Sequence, residues 1–316
     1  MKTDQQRQKT VVATLSVVSN SVLIVLKLAA GLAIGSVSLI SEAIHSGVDL
    51  AAAVIALFAV RKSHRPADKG HPYGHGKVEN ISGTVEAVLI FVAAIWIIVE
   101  AVDRLIHHKP LDTPGWGVIV MLISVVVNTV VSYFLFKVGR ETDSAALLAD
   151  AWHLRTDVYT SAGVMAGLGV VWLGTHLFPQ ADLRWIDPVA AIVVALLIIK
   201  AAWTLTITAG RDLLDTKLPD AEEQAIRSII ARFEPEAQTV HSLRTRKAGA
   251  RRFVEFHVHM DKKMTVEQAH GLSHQIAAAI EREYPQTLVN IHVEPHGGAP
   301  TVIVPELEKD AKPSGD

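Results

Sequence analysis

Six stretches of the chain are almost free of charged side chains for about 20 residues or more, at roughly 11–34, 37–60, 81–102, 116–138, 147–172 and 188–207. A helix of about 20 residues spans the ~30 Å hydrocarbon core of a bilayer, and helices satisfy their own backbone hydrogen bonds there. The pattern therefore predicts a six-helix transmembrane bundle. Glycine-rich or polar punctuation separates the stretches: Gly35-Ser36, 61–80, 107–114, 139–144 and 179–187. After about residue 210 the apolar character falls to that of a soluble domain. A helical pattern at 220–233 follows Pro219, and strand patterns at 239–246 and 252–261 flank a turn at 247–251. A second helix is expected over 266–284 and a last strand over 287–294. In the middle strand, Val254, Phe256, Val258 and Met260 share one face, and Glu255, His257, His259 and Asp261 the other. The order α-β-β-α-β implies a small open sheet with its helices on one face. The expected organisation is a polar tail at 1–10, the bundle at 11–209, an α+β domain at 210–296 and a disordered tail at 297–316.

Two of the apolar stretches carry the same polar insertion. His45 is followed four residues later by Asp49, and His153 four residues later by Asp157. Residues i and i+4 share a helix face, so each pair points an imidazole nitrogen and a carboxylate oxygen at one spot. Two such helices facing each other would complete a tetrahedral His2Asp2 site. Ionisable groups in hydrocarbon are costly and are retained for a partner or a pathway. The duplication favours a metal or proton site over hydrogen bonds that merely hold helices together. Asp150, one turn before His153, and Asn20 on the first helix are candidates for the same pathway.

Composition agrees with a membrane protein: half the residues are hydrophobic, 20% are charged and the mean hydropathy is +0.31. A net charge of −2 gives no basic surface for nucleic acid. Without cysteine, any metal is held by nitrogen and oxygen donors, which makes the 15 histidines prominent. Basic residues cluster in the N-terminal tail (Lys2, Arg7, Lys9), in the second loop (Arg61, Lys62, Arg65, Lys69, Lys77), around Lys137 and Arg140, and after the sixth stretch (Arg211, Lys217). Basic loops stay on the cytoplasmic side, so both termini are expected there.

The second loop also contains Asp68, His71 and His75, separated by glycines that let the backbone fold tightly. They could close on one cation or form a solvated, pH-sensitive loop. In the soluble domain His241, His257, His259, His270, His274, His292, Glu294 and His296 form a donor-rich set. As a group they point to a metal site, with His259, His274 and His296 read as surface histidines.

The paired His and Asp motifs, Gly74-His75-Gly76-Lys77-Val78-Glu79 and Leu213-Leu214-Asp215 resemble the cation diffusion facilitator family over nearly the whole chain, with bacterial zinc and iron efflux members the most similar in pattern. The resemblance implies six membrane helices, a cytoplasmic ferredoxin-like α+β domain, and a homodimer that exports divalent metal against protons through a bacterial inner membrane. It assigns His45, Asp49, His153 and Asp157 to a transport site and Asp68, His71 and His75 to a loop site. It assigns His241, His257, His270, His292 and Glu294 to a metal site at the dimer interface. Lys77 and Asp215 would form an ion pair that ties the protomers together. Some relatives have Asp at the positions of His45 and Glu294; both departures keep a donor. Two imidazoles and two carboxylates suit zinc (Zn2+), with cadmium, cobalt, ferrous iron or manganese as alternative cargo. A membrane metal sensor is the rival reading. A metalloenzyme ranks lower, because four protein donors would close the coordination sphere to water and no hydrolase motif is present.

Overall fold

The computed structural model describes residues 2–34, 37–107, 117–177 and 185–296. The expected tail at 297–316 lies outside the described residues. The chain forms two compact units, Met1–Leu214 and Asp215–Asp316.

The first unit contains six long helices: α1 (Lys2–Ile34), α2 (Val37–Ser63), α3 (Lys77–His107), α4 (Gly117–Glu141), α5 (Ala145–Leu177) and α6 (Ile186–Leu213). Among the described residues, four segments are long and apolar enough to cross a membrane: Asp4–Ala33, Lys77–His107, Ile119–Glu141 and Pro188–Leu213. At ~1.5 Å per residue, α3 is ~46 Å long and outruns the hydrocarbon at its ends. That is why its first turn can hold Lys77 and Glu79.

Lipid is as apolar as leucine, so these helices associate through close packing and internal polar contacts rather than by hiding apolar surface. Val25, Val88, Val92, Trp96 and Leu197 accordingly point outward, while small residues fill the seams: Ala52, Ala53, Ala56 and Ala59 on α2, and Ala87, Ala94 and Ala101 on α3. Gly83 shows how close α3 comes to the start of α5. A Cβ there would lie 3.2 Å from the Ala145 carbonyl oxygen. Leu135, Leu147 and Leu154 are buried in one apolar cluster, and Ile90 with Ile198 in another.

The second unit runs α7 (Asp220–Ala231), β1 (Val240–Ala248), β2 (Arg251–Met260), α8 (Val266–Glu283) and β3 (Thr287–Pro295). Its sheet has the order β1-β2-β3, with β1 antiparallel and β3 parallel to the central β2. The parallel pairing follows from α8, which carries the chain back to the start of the sheet. Thr265 starts α8 with a capping box: its side chain accepts from the Gln268 amide (3.2 Å), and the Gln268 side chain accepts from the Thr265 amide (2.9 Å). Val254, Phe256, Val258 and Met260 are all buried on one sheet face against Ile226, Ile229 and Ile230 of α7 and Ile276 and Ile280 of α8. Burying each such side chain contributes about 1.5–3 kcal/mol, which fixes the register of β2. The opposite face, which no helix covers among the described residues of this unit, is left to the histidines.

Candidate metal centres

In the bundle, α2 supplies Asp49 and α5 supplies His153 and Asp157. His153 Nε2 lies 3.0 Å from Asp49 Oδ1, although the two residues are far apart in sequence. Asp49, His153 and Asp157 offer donor atoms that all lie within 4.8 Å of one another. Asp49 and His153 are only 6% and 7% exposed, so the three donors face each other inside the bundle. His45 lies on α2 one turn before Asp49, but its side chain falls outside the described residues. Its neighbour Ser46 is buried and accepts from Lys27 Nζ of α1 at 2.8 Å.

Nearer the start of α3, a polar cluster ties four segments together. Glu79 Oε1 accepts from Lys9 Nζ (3.1 Å) and Ser63 Oγ (2.6 Å), and Glu79 Oε2 accepts from Ser144 Oγ. Asn80 Nδ2 donates to Asp212 Oδ2 (2.9 Å) and so fastens α3 to the end of α6. Sequence reading treated Glu79 only as part of a motif. Its partners come from segments with no detectable spacing relation to it, so nothing in the sequence pointed to them.

In the loop, Asp68 Oδ1 accepts from the amides of Gly70 (2.9 Å) and His71 (2.7 Å), a tight turn that fixes the exposed carboxylate beside the two histidines. The His71 backbone amide is the main reason the Asp68 carboxyl is held below its ordinary range. Asp68, His71 and His75 form a donor triad within 4.8 Å, with His71 Nδ1 3.3 Å and His75 Nε2 3.4 Å from the carboxylate. His75 is 3% exposed, and neither of its ring nitrogens has a hydrogen-bond partner. A buried imidazole left in that state suits a cation better than a hydrogen bond. Gly74, at φ 85°, makes the return of the loop that brings His75 back.

In the second unit, Glu294 on the edge strand β3 is the acceptor around which the histidines gather. His257 Nδ1 is 2.9 Å from its Oε1 and His259 Nε2 is 3.1 Å from its Oε2; His241 and His292 follow at 3.5 and 3.7 Å. Burial pushes the Glu294 carboxyl up, but hydrogen bonds from His257 and His259 and the nearby His241 outweigh it, and the carboxyl stays below its ordinary value. Two donor triads share this one carboxylate: His241, His259, Glu294 and His257, His292, Glu294. His259, expected at the surface, is thus part of the cluster, because the parallel register sets it directly opposite Glu294. His270 meets His274 edge-on along α8, with ring centroids 4.4 Å apart, and is in neither triad. Lys77 Nζ donates to the Leu213 carbonyl (3.3 Å), and Asp215 pairs with Arg246 (3.3 Å).

Residues 13–214 match the cation efflux transmembrane domain, and residues 218–296 match the cytoplasmic domain of cation efflux proteins. An uncharacterized transporter of Synechocystis is 36% identical over 270 residues, covering 85% of each chain. The cation-efflux pump FieF of Citrobacter koseri is 34% identical over 283 residues, 90% of this chain and 91% of that one. Among solved structures, the metal-bound C-terminal domain of the CzcD transporter from Thermotoga maritima aligns at 32% identity and a TM-score of 0.24, over 25% of this chain and 91% of that domain. Matches that run through the helical bundle and on across the small domain make this an integral membrane protein of the cation diffusion facilitator family, whose members are cation efflux transporters.

Proposed function

We propose that the chain exports a divalent transition metal, zinc first, in exchange for protons, and that Asp49, His153 and Asp157, with His45 one turn earlier on α2, hold the cargo. The observation that carries this reading is the 3.0 Å approach of His153 on α5 to Asp49 on α2, with Asp157 alongside. Nitrogen and carboxylate donors favour zinc over calcium or magnesium, which prefer more and harder oxygen ligands. Cadmium, cobalt, ferrous iron and manganese are the competing cargoes.

Proton exchange follows from the donor chemistry. An imidazole binds metal only when neutral, and its unperturbed pKa near 6.5 lies close to cellular pH. Facing the cytoplasm, the site trades protons for metal. Facing outward, protons compete for the same nitrogens and metal departs. The helices that bear the site would rock between the two states.

The two remaining donor sets fit regulatory or structural metal. Glu294 with His241, His257, His259 and His292 provides carboxylate and imidazole donors on an open sheet face, suited to an interface between two copies of the chain. His270 would join it from α8 only with a contribution from beyond a single protomer. Asp68, His71 and His75 would hold a metal at the loop. The proposed setting is a homodimer in a bacterial inner membrane with both termini cytoplasmic, the side on which the basic segments cluster.

Proteoliposomes test the exchange. Zinc uptake should accelerate when an outward pH gradient is imposed and should exceed uptake of manganese. Equal rates with and without the gradient would remove the proton-coupled reading. Uptake of manganese ahead of zinc would remove the assignment of the cargo.

A further inference from the structure

Where α4 ends and α5 begins, beside the Glu79 cluster that Ser144 joins, two guanidiniums share one aromatic ring. The Arg140 Cζ lies 5.3 Å and the Arg155 Cζ 5.8 Å from the centroid of Phe136. Arg140 follows Phe136 by four residues on α4, which puts both on one helix face. Arg155 comes from α5, one turn after Trp152, whose ring meets Phe136 edge-on at 90° with centroids 5.3 Å apart. The aromatic pair is thus a fixed platform that brings two cations from two helices together.

The protein supplies no anion for them. Among the described residues, no hydrogen bond or ion pair reaches the side chain of Arg140, Arg155 or the exposed Lys137, and the adjacent Glu141 pairs with none of the three. Stacking occupies the face of a guanidinium and leaves its N–H edge free, the edge that grips a phosphate with paired hydrogen bonds. Two like charges at one ring repel each other, and a bound anion relieves both.

Their depth in the bundle says which anion. The 33 residues of α5 make a helix ~50 Å long against ~30 Å of hydrocarbon, so ~10 Å at each end lies among headgroups. Arg155 is ~15 Å from the start of α5, but helical side chains lean toward the N-terminus, and its guanidinium is carried back to that layer. Arg140, one residue before the end of α4, meets it there. Tyr133, 58% exposed, lies one turn deeper on α4 than Lys137, as an interfacial tyrosine does.

We propose that the groove between α4 and α5 at Phe136 binds the headgroup phosphate of an anionic phospholipid from the adjoining leaflet. Arg140 and Arg155 hold the phosphate oxygens, Lys137 adds charge, and the acyl chains run along α4 past Tyr133. Basic sites between membrane helices take anionic headgroups in this way. A zwitterionic lipid brings its own cation and offsets less of the charge. Free phosphate offers the same oxygens but has no chains to hold it at the helices.

The test titrates the full-length protein, stripped of lipid in a neutral detergent, with dioleoylphosphatidylglycerol, dioleoylphosphatidylcholine or inorganic phosphate, and reads the thermal midpoint. Phosphatidylglycerol should raise the midpoint saturably, and the other two should not. Arg140→Gln combined with Arg155→Gln should weaken the apparent affinity for phosphatidylglycerol at least ~10-fold, the scale of losing charge-assisted hydrogen bonds. Arg61→Gln combined with Arg65→Gln removes as much charge from the exposed loop and should leave the affinity unchanged. Arg155→Lys, which keeps the charge and tests the site even where the double variant is poorly folded, should still weaken it several-fold, because an ammonium cannot make the paired bonds. An equal response to both lipids would leave only a lipid shell and overturn the proposal. A phosphate response matching that of phosphatidylglycerol would assign the site to the free anion and overturn the lipid. Equal losses in the two double variants, or wild-type affinity in Arg155→Lys and the Arg140 and Arg155 double variant alike, would also overturn it.

Discussion

Replacing Glu79 by Ala should be among the most destabilising single changes in the bundle. The carboxylate is 2% exposed, and its three donors, Lys9, Ser63 and Ser144, are buried as well. Removing it leaves a buried ammonium unpaired, a defect of about 3–5 kcal/mol. Each hydroxyl left without its acceptor adds about 1–3 kcal/mol. The contributions share one site and do not add. Ser63 also keeps a bond to the Val60 carbonyl at 3.1 Å. The cluster lies near a helix end, where water reaches a relaxed structure, so the expected loss is about 3 kcal/mol, more than 100-fold in the unfolding equilibrium. Lys9→Met combined with Glu79→Leu removes both charges at once and should recover at least about half of the loss, because a buried pair replaced by apolar groups is often neutral. Denaturant titration in one detergent, followed by tryptophan fluorescence, gives both numbers. A single variant within about 1 kcal/mol of wild type, or a double variant no more stable than the single one, would refute the reasoning.

Three further outcomes follow from the geometry. Gly83→Val should part α3 from the start of α5, because even a Cβ would lie 3.2 Å from the Ala145 carbonyl; the expected cost is about 1–3 kcal/mol in the same titration, and an unchanged midpoint would contradict the close approach. Glu294→Gln, measured calorimetrically with the bundle site silenced by Asp157→Ala, should weaken zinc binding by about 10–100-fold, since the carboxylate serves both donor triads. The Glu294 carboxyl sits below its ordinary value of 4.5, so its contribution to stability is full above that pH and is lost as pH falls through the lowered value. The thermal midpoint of the wild type in the absence of metal should therefore exceed that of Glu294→Gln at pH 7 and converge on it in acid; a gap that persists undiminished at low pH would contradict this.

The parts of the molecule governed by local periodicity were legible in the sequence. The alternation of Val254, Phe256, Val258 and Met260 with His257 and His259 named both faces of β2, and the core packs on the apolar one. The αββαβ order was readable for the same reason. Hydropathy marked where apolar character ended but not where the helices end: α1 begins at Lys2 and α6 continues to Leu213, because polar flanks remain helical beyond the hydrocarbon. The i, i+4 spacing put His153 and Asp157 on one face, but only packing brings Asp49 to within hydrogen-bond reach of His153. Strand register was equally hidden. His259 looked like one more surface histidine until β3 paired in parallel and set Glu294 opposite it. Glu86 was the least visible, an acid in an apolar run whose electrostatic neighbours, Asp150 and His153, come from α5.

The measurement that bears most directly on the proposed transport site is zinc flux and zinc binding by Asp157→Ala beside wild type, in the same proteoliposome and detergent preparations. Wild type should move zinc down an imposed pH gradient, and the variant should lose flux together with one zinc equivalent per protomer, while the soluble-domain sites continue to bind. Undiminished flux in Asp157→Ala would contradict the assignment of cargo to Asp49, His153 and Asp157.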